Sequence, residues 1–232
     1  MLQWLPAQVS TYADGVDSLL RLIYYIVGGW FVLIHLLMIF MILRFRRREG
    51  RAARYLDGKR LRENAWILLP CVLVVGMDFW IDSRSSRVWD EIKESQPPSD
   101  LTVRVTGKQF NWEMLYPGPD GVFGTQDDLA MENSLHVPVH KVISILLESE
   151  DVLHSFFLPQ MRLKQDAVPG RTIKLWFEAT KPGRYEIACA ELCGFGHTTM
   201  RGLLTVHTQR SWEKWVNKRW PAARVARAGG NR

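Results

Sequence analysis

Residues 22–43, LIYYIVGGWFVLIHLLMIFMIL, run for 22 positions without a formal charge, and a helix that crosses a bilayer core needs about 20 apolar residues. No other feature restricts the chain as much, because a segment in lipid has to satisfy its backbone hydrogen bonds internally, as a helix does. A second run, 65–81 (AWILLPCVLVVGMDFWI), is shorter, contains Pro70 and Gly76 and carries Asp78 near its far end. It spans if Asp78 and Trp80 sit at the interface, where charges and aromatic belts belong. His35 is the polar interruption in the first run; such a histidine either lines a proton or cofactor path or hydrogen-bonds a neighbouring helix. The first run is longer than a secretory signal core, has no Lys or Arg before Arg21 and no small-residue cleavage site after it. It is therefore expected to remain as an anchor. Cys71, in the second run, reads as a small buried apolar residue.

Between the two runs, residues 44–62 hold nine Lys or Arg against Glu49 and Asp57. By the positive-inside rule this short loop is cytoplasmic, which puts both chain termini and everything after residue 82 on the opposite side. The loop alone accounts for the formal charge of +6, since residues 100–209 carry ten basic and thirteen acidic side chains. A nucleic-acid partner thereby loses its support. The exported part is mildly acidic and weakly attractive to a basic partner.

The chain divides into a transmembrane hairpin over 1–82, a polar Pro-Pro-containing linker over 83–100, a domain over 101–216 and a basic tail over 217–232, expected to be disordered. Short β-type runs at 101–106, 109–116, 135–137, 141–148, 172–179, 183–188 and 202–208 are separated by turn residues. So many short strands imply an antiparallel sandwich or barrel. Residues 117–129 (PGPDGVFGTQDDL) are rich in Gly and Asp but do not follow the EF-hand order, and turn chemistry explains them. Residues 211–220 (SWEKWVNKRW) read as a short amphipathic helix.

Two of the three cysteines fall in CAELCGFGHTTM, residues 189–200. Cys189, Cys193 and His197 are spaced by four, yet Gly194, Gly196 and two consecutive threonines disfavour a helix, and the flanks GRYEIA and RGLLTV read as strands. The cluster thus lies on a loop between two strands. A disulfide is one reading, since paired cysteines outside the cytoplasm oxidise; across so short a loop it adds little stability and leaves His197 and Met200 without a role. Thiolate, imidazole and thioether together are copper ligands, and a weak thioether beside Cys and His is what copper electron-transfer sites use. A structural zinc site has little use for methionine. EDVLHSF at 150–156 supplies the second histidine, His154, directly after a strand.

The C-x3-C-x3-H-x2-M loop, the upstream DVLHS, LKQDAVPGR at 163–171 and ENAWILLP at 63–70 together resemble cytochrome c oxidase subunit II, the family that carries the binuclear copper A centre. The resemblance covers roughly residues 20–216. It implies an all-β, cupredoxin-like Greek-key barrel or sandwich on a two-helix membrane hairpin. Cys189 and Cys193 would bridge two copper ions, His154 and His197 would each ligate one, and Met200 and the backbone carbonyl of Glu191 would be the weak axial ligands. The Glu191 side chain would reach a magnesium or manganese ion shared with subunit I. Glu63 would stand at the cytoplasmic mouth of a proton channel in subunit I; otherwise it is a surface partner of Arg60 or Arg62.

The resemblance also implies that the chain is the electron-accepting subunit of a haem-copper terminal oxidase, associated with subunits I and III. Electrons would arrive from a c-type cytochrome, membrane-bound or complex-bound donors included, and leave to a haem in subunit I, where oxygen is reduced and protons are pumped. The family's Gln-Trp-aromatic-Trp motif reads Gln109, Phe110, Asn111, Trp112 here. Phe110 and Trp112 would mark where electrons enter, with Phe110 replacing the usual tryptophan and putting the usual docking of the donor in doubt. Glu150 and Asp151 are candidate docking acids. A membrane-tethered copper carrier is the alternative from another class, and a quinol oxidase subunit would lack the copper ligands. The chain contains no CxxCH, the haem c attachment signature. The Arg-rich loop and the absence of a transit peptide favour a bacterial plasma membrane with the domain on the periplasmic side.

Overall fold

Both apolar runs are helical, and each helix is longer than the run that predicts it. The computed structural model describes residues 5–50, 52, 55 and 57–220. Helix α1 is Ala13–Phe45 and α2 is Leu61–Trp89. At 1.5 Å per residue they measure about 50 and 44 Å, more than the ~30 Å core of a bilayer, so polar ends extend past the apolar stretch. Apolar side chains are exposed all round both helices, as a lipid-facing span requires. Trp30 Nε1 donates to Met77 Sδ at 3.0 Å between the two helices. His35 Nδ1 donates to the Phe31 carbonyl one turn back, at 2.7 Å, and the two rings lie 4.0 Å apart.

Helix α2 runs on through a π-helical turn, Asp90–Glu94, so the expected linker is helical up to residue 94. The serines that make this stretch look like a linker, Ser83, Ser85 and Ser86, donate their hydroxyls to carbonyls one turn back. That satisfies them without breaking the helix. Cys71 is exposed on the helix surface rather than buried within the chain, because no other described segment packs over that face of α2.

Residues 91–220 and the segment before Gly15 form a second compact unit, separate from the helical one. Its strands are β1 Leu101–Lys108, β2 Asn111–Tyr116, β3 Leu129–Glu132, β4 Ser134–Pro138, β5 Val142–Ser149, β6 His154–Leu158, β7 Leu163–Ala167, β8 Ile173–Glu178, β9 Gly183–Cys189 and β10 Arg201–His207. They make two five-stranded sheets, ordered β3-β2-β1-β5-β8 and β4-β10-β9-β6-β7. This is the cupredoxin-like sandwich, but the sheets are mixed, because β1 pairs with β5 and β4 with β10 in parallel. Alternation along a strand sets which face is buried and does not encode the direction of its partner, so the antiparallel expectation has to be amended. The core between the sheets is built from alternate residues, among them Val103, Val105, Trp112, Met114, Ile143, Ile145, Leu147, Phe156, Ile187 and Leu204.

The residues before α1 belong to this unit. Val9 bridges it twice, donating to the Gln160 carbonyl at 3.0 Å and accepting from Thr180 N at 2.7 Å. Ser10 pairs with Ala179, and the buried Tyr12 donates its hydroxyl to the Trp176 carbonyl at 3.2 Å. The segment thus covers the end of β8, an edge strand whose backbone groups otherwise stay open.

Helix α3, Gln209–Arg219, begins two residues before the expected helix and is capped by Thr208, whose hydroxyl accepts from Ser211 N. Trp212 and Trp215 stack on each other, and Trp215 stacks on His136. Residues 217–219, placed in the tail by the sequence, belong to α3; residues 221–232 lie outside the described residues. Trp220 donates to the Asp127 carbonyl at 2.7 Å and ties down the 117–129 loop, whose Asp120 and Asp128 accept from Val122 N and Gly124 N.

Candidate metal centre

Strand register brings the two ligand-bearing segments together. In the β6–β9 pairing Phe156 faces Cys189, so His154, two residues earlier on the same face, lies beside the end of β9. Strand β10 returns antiparallel to β9, with Arg201 opposite Ala188. The 190–200 loop is therefore closed at its neck, where Cys189 N donates to the Met200 carbonyl at 3.2 Å and Ala190 N to Ser155 O at 2.9 Å.

Between that loop and the start of β6 all six expected donors converge. Cys189 Sγ is 3.8 Å from Cys193 Sγ, 4.0 Å from His154 Nδ1 and 3.2 Å from the Glu191 carbonyl oxygen. Cys193 Sγ is 3.7 Å from His197 Nδ1 and 3.8 Å from Met200 Sδ. A disulfide bond is about 2.05 Å long, and both cysteines are free. Among the described residues, His154, Cys189 and Cys193 form the one cluster of Cys, His or acidic groups, with ligand atoms within 4.8 Å of each other.

The site is closed off by protein on its inner side. His154 and Met200 are fully buried, Cys193 nearly so, and Trp112 packs edge-on against both His154 and Phe156, at 5.9 and 5.2 Å between ring centres. Burial pushes the Cys193 thiol up to about 11, and the neighbouring Cys189 adds to the rise. Two sulfurs this close in low dielectric resist ionising together. A soft cation reverses that, because thiolates are its ligands. Two thiolates, two imidazole nitrogens, a thioether and a carbonyl are a donor set that fits copper.

The imidazole of His154 is held from behind. Asp151 Oδ1 lies 2.7 Å from His154 Nε2, leaving Nδ1 toward the sulfurs. Burial pushes the Asp151 carboxyl up, yet hydrogen bonds from His154, Gln109 N and Val152 N outweigh it and hold the group below the usual carboxylate range. A carboxylate behind a ligand histidine fixes its tautomer and orientation. Sequence reasoning offered Asp151 only as a docking acid; the D-x-x-H spacing was the available signal. Glu150 is likewise engaged, its carboxylate 2.5 Å from Lys108 Nζ.

The remaining expected residues fall in different places. Phe110 is partly exposed and its ring lies against Gly194 and Gly196 of the ligand loop, whereas Trp112 is wholly buried behind it. The Glu191 carbonyl points to Cys189 while the residue as a whole is half-buried. Glu63 is in the first turn of α2, within the helical unit, and its Oε2 is buried without a hydrogen-bond partner among the described residues. The loop also turns Leu192 and Phe195 out to solvent, beside the ligands.

A family model described as cytochrome C oxidase subunit II, periplasmic domain, matches residues 101–206. The chain is 30% identical to the alternative cytochrome c oxidase subunit 2 of Bradyrhizobium diazoefficiens over 93% of its own length and 83% of that protein's. It belongs to the cytochrome c oxidase subunit II family. Cytochrome c oxidase subunit 2 of Thermostichus vulcanus is also 30% identical, over 91% of this chain and 77% of that one. The crystal structure of the periplasmic domain of subunit II of cytochrome oxidase of Bradyrhizobium japonicum is similar at 33% identity, with a TM-score of 0.47 over 53% of this chain and 94% of that one. As a subunit II, the chain is part of an oxidase complex with other subunits, anchored by helices able to span a membrane.

Proposed function

We propose that this subunit II holds a binuclear copper A centre and is the point at which electrons from a c-type cytochrome enter a proton-pumping haem-copper oxidase. The observation that carries the reading is the convergence of the sulfurs of Cys189, Cys193 and Met200 with the imidazoles of His154 and His197. Cys189 and Cys193 would supply thiolates, His154 and His197 imidazole nitrogens, Met200 a thioether and the Glu191 backbone carbonyl an oxygen to hold the copper ions. Bound there, copper would supply one-electron transfer chemistry.

The residues around the donors have separate tasks. Asp151 orients His154, Trp112 and Phe156 keep water from its inner side, and the rigid strands β6, β9 and β10 keep the ligands in place. Phe110, exposed against the ligand loop, and Trp112, buried against His154, occupy the place of the family's aromatic motif, where electrons would enter. Electrons leave to a haem of subunit I, where oxygen is reduced, and subunit III completes the assembly. The Glu191 side chain offers an oxygen to a magnesium or manganese ion at the boundary with subunit I, the kind of donor a hard cation takes. Glu63 serves the proton-channel mouth of subunit I.

The segment before α1 packs on the same unit as the β-domain, which supports both termini lying on one side of the membrane. The basic 44–62 loop then faces the cytoplasm and the copper domain the periplasm of a bacterial plasma membrane. Burial of His154 and Met200 favours retention of the metal over the open site a copper carrier needs. Stopped-flow mixing of the purified oxidase with a reduced c-type cytochrome tests the role: a rapid loss of the copper absorption before haem reduction is expected, and haem reduction with no prior copper phase would overturn it.

A further inference from the structure

The two arms of the centre, His154 on β6 and Cys193 on the 190–200 loop, come from segments far apart in sequence, and one residue of the β1–β2 turn touches the support of both. Gln109 donates its backbone N–H to Asp151 Oδ2 at 2.7 Å, and the other oxygen of that carboxylate holds His154. The side-chain amide of the same residue donates to the Cys193 carbonyl at 2.5 Å. A hydrogen-bonded chain therefore runs from His154 through Asp151 and Gln109 to Cys193.

The loop lies flat against this turn. A Cβ at Gly194 would come within 2.8 Å of Gln109 Nε2, and one at Gly196 within 2.4 Å of the Phe110 ring. Side chains at these positions would lift the loop off the amide and the ring. Gly194 also adopts a φ of +140°, a backbone conformation that side-chain-bearing residues rarely take. The two glycines of C-G-F-G-H thus serve close approach to Gln109 and Phe110.

We propose that Gln109 is a positioning residue of the metal centre: it sets the separation of the His154 and Cys193 arms, with Phe110 as the apolar half of the same clamp. This rests on the reading of those residues as copper ligands. Gln109 touches no metal-binding atom itself, and it acts through a carbonyl and a carboxylate. Such outer contacts are worth about 10–100-fold in metal affinity.

The test is Gln109→Met in the full chain, purified in detergent and loaded with copper; the substitution keeps length and the backbone bond to Asp151 but removes the amide donor. Expected are a release of copper to EDTA about tenfold faster than wild type, an altered copper hyperfine pattern in EPR, and an unchanged melting temperature of the metal-free chain. Gly196→Ala should change the same two metal signals in the same direction. Wild-type release and hyperfine pattern in Gln109→Met would overturn the role of Gln109 alone, as would an equal fall in metal-free stability, which marks a merely structural contact. A wild-type chain that takes up no copper would overturn the proposed function and this inference with it.

Discussion

The sulfur of Cys193 lies 3.8 Å from that of Cys189, behind it and nearly sealed from solvent, while Cys189 is half-buried. Thiolate is the reactive form of cysteine, and burial together with Cys189 holds the Cys193 thiol at about 11. In the metal-free chain, Cys193 should be alkylated by iodoacetamide at pH 8 at least about tenfold more slowly than Cys189. Its rate should keep rising up to pH 11. Site-resolved mass spectrometry measures both; equal rates at pH 8 would contradict the environment described.

Asp151→Asn keeps the shape of the group behind His154 but removes its charge. Copper affinity is expected to fall by about 10–100-fold, read by competition with a chelator of known affinity, with the fold retained by circular dichroism. An unchanged affinity would mean that the 2.7 Å contact to His154 does not orient the ring for binding.

The aromatic cluster under α3 makes the domain sensitive to acid. His136 Nδ1 and His207 Nε2 are 2.8 Å apart, with Trp215 stacked on His136. Burial first, then His207, Arg219 and Arg184, push His136 down to about 4, and burial lowers His207 as well. An unfolded histidine takes its proton near 6.5. Between about 6.5 and 4 the unfolded chain therefore binds more protons, so this contribution to stability is complete above about 6.5 and lost as pH falls toward 4. Denaturation midpoints should drop across that window, and His136→Gln should flatten the drop. A wild-type midpoint independent of pH from 7 to 4 would contradict this.

The two apolar runs and the ligand loop were legible because their signals are local: unbroken apolar length in one case, ligand chemistry within twelve residues in the other. What pairs with what was not. The parallel β1–β5 and β4–β10 pairings depend on partners 40 to 70 positions away, and alternation is blind to them. Strand β7, LKQDA, is an edge strand with a charged face, and β3 is only four residues long; neither shows apolar alternation. The role of Gln109 was invisible for the same reason, since only the folded β1–β2 turn brings it to Cys193, whereas the Asp151 contact to His154 is local, three residues along the chain.

The segment before α1 carries part of the domain's stability. Tyr12 is buried to 1% exposure and anchored to the Trp176 carbonyl, so Tyr12→Ala should cost about 3–5 kcal/mol, the range for losing a large buried aromatic. Limited proteolysis should then cut within residues 5–13, which the wild type protects. A variant as stable and as resistant as wild type would show that the segment does not hold to the sheet edge.

The most direct measurement is metal content together with EPR on the full chain reconstituted with copper. Two copper ions per chain and a seven-line hyperfine pattern from one electron shared between them are expected, both lost in Cys193→Ser. One copper with a four-line pattern, no copper at all, or an unaltered spectrum in Cys193→Ser would contradict the account.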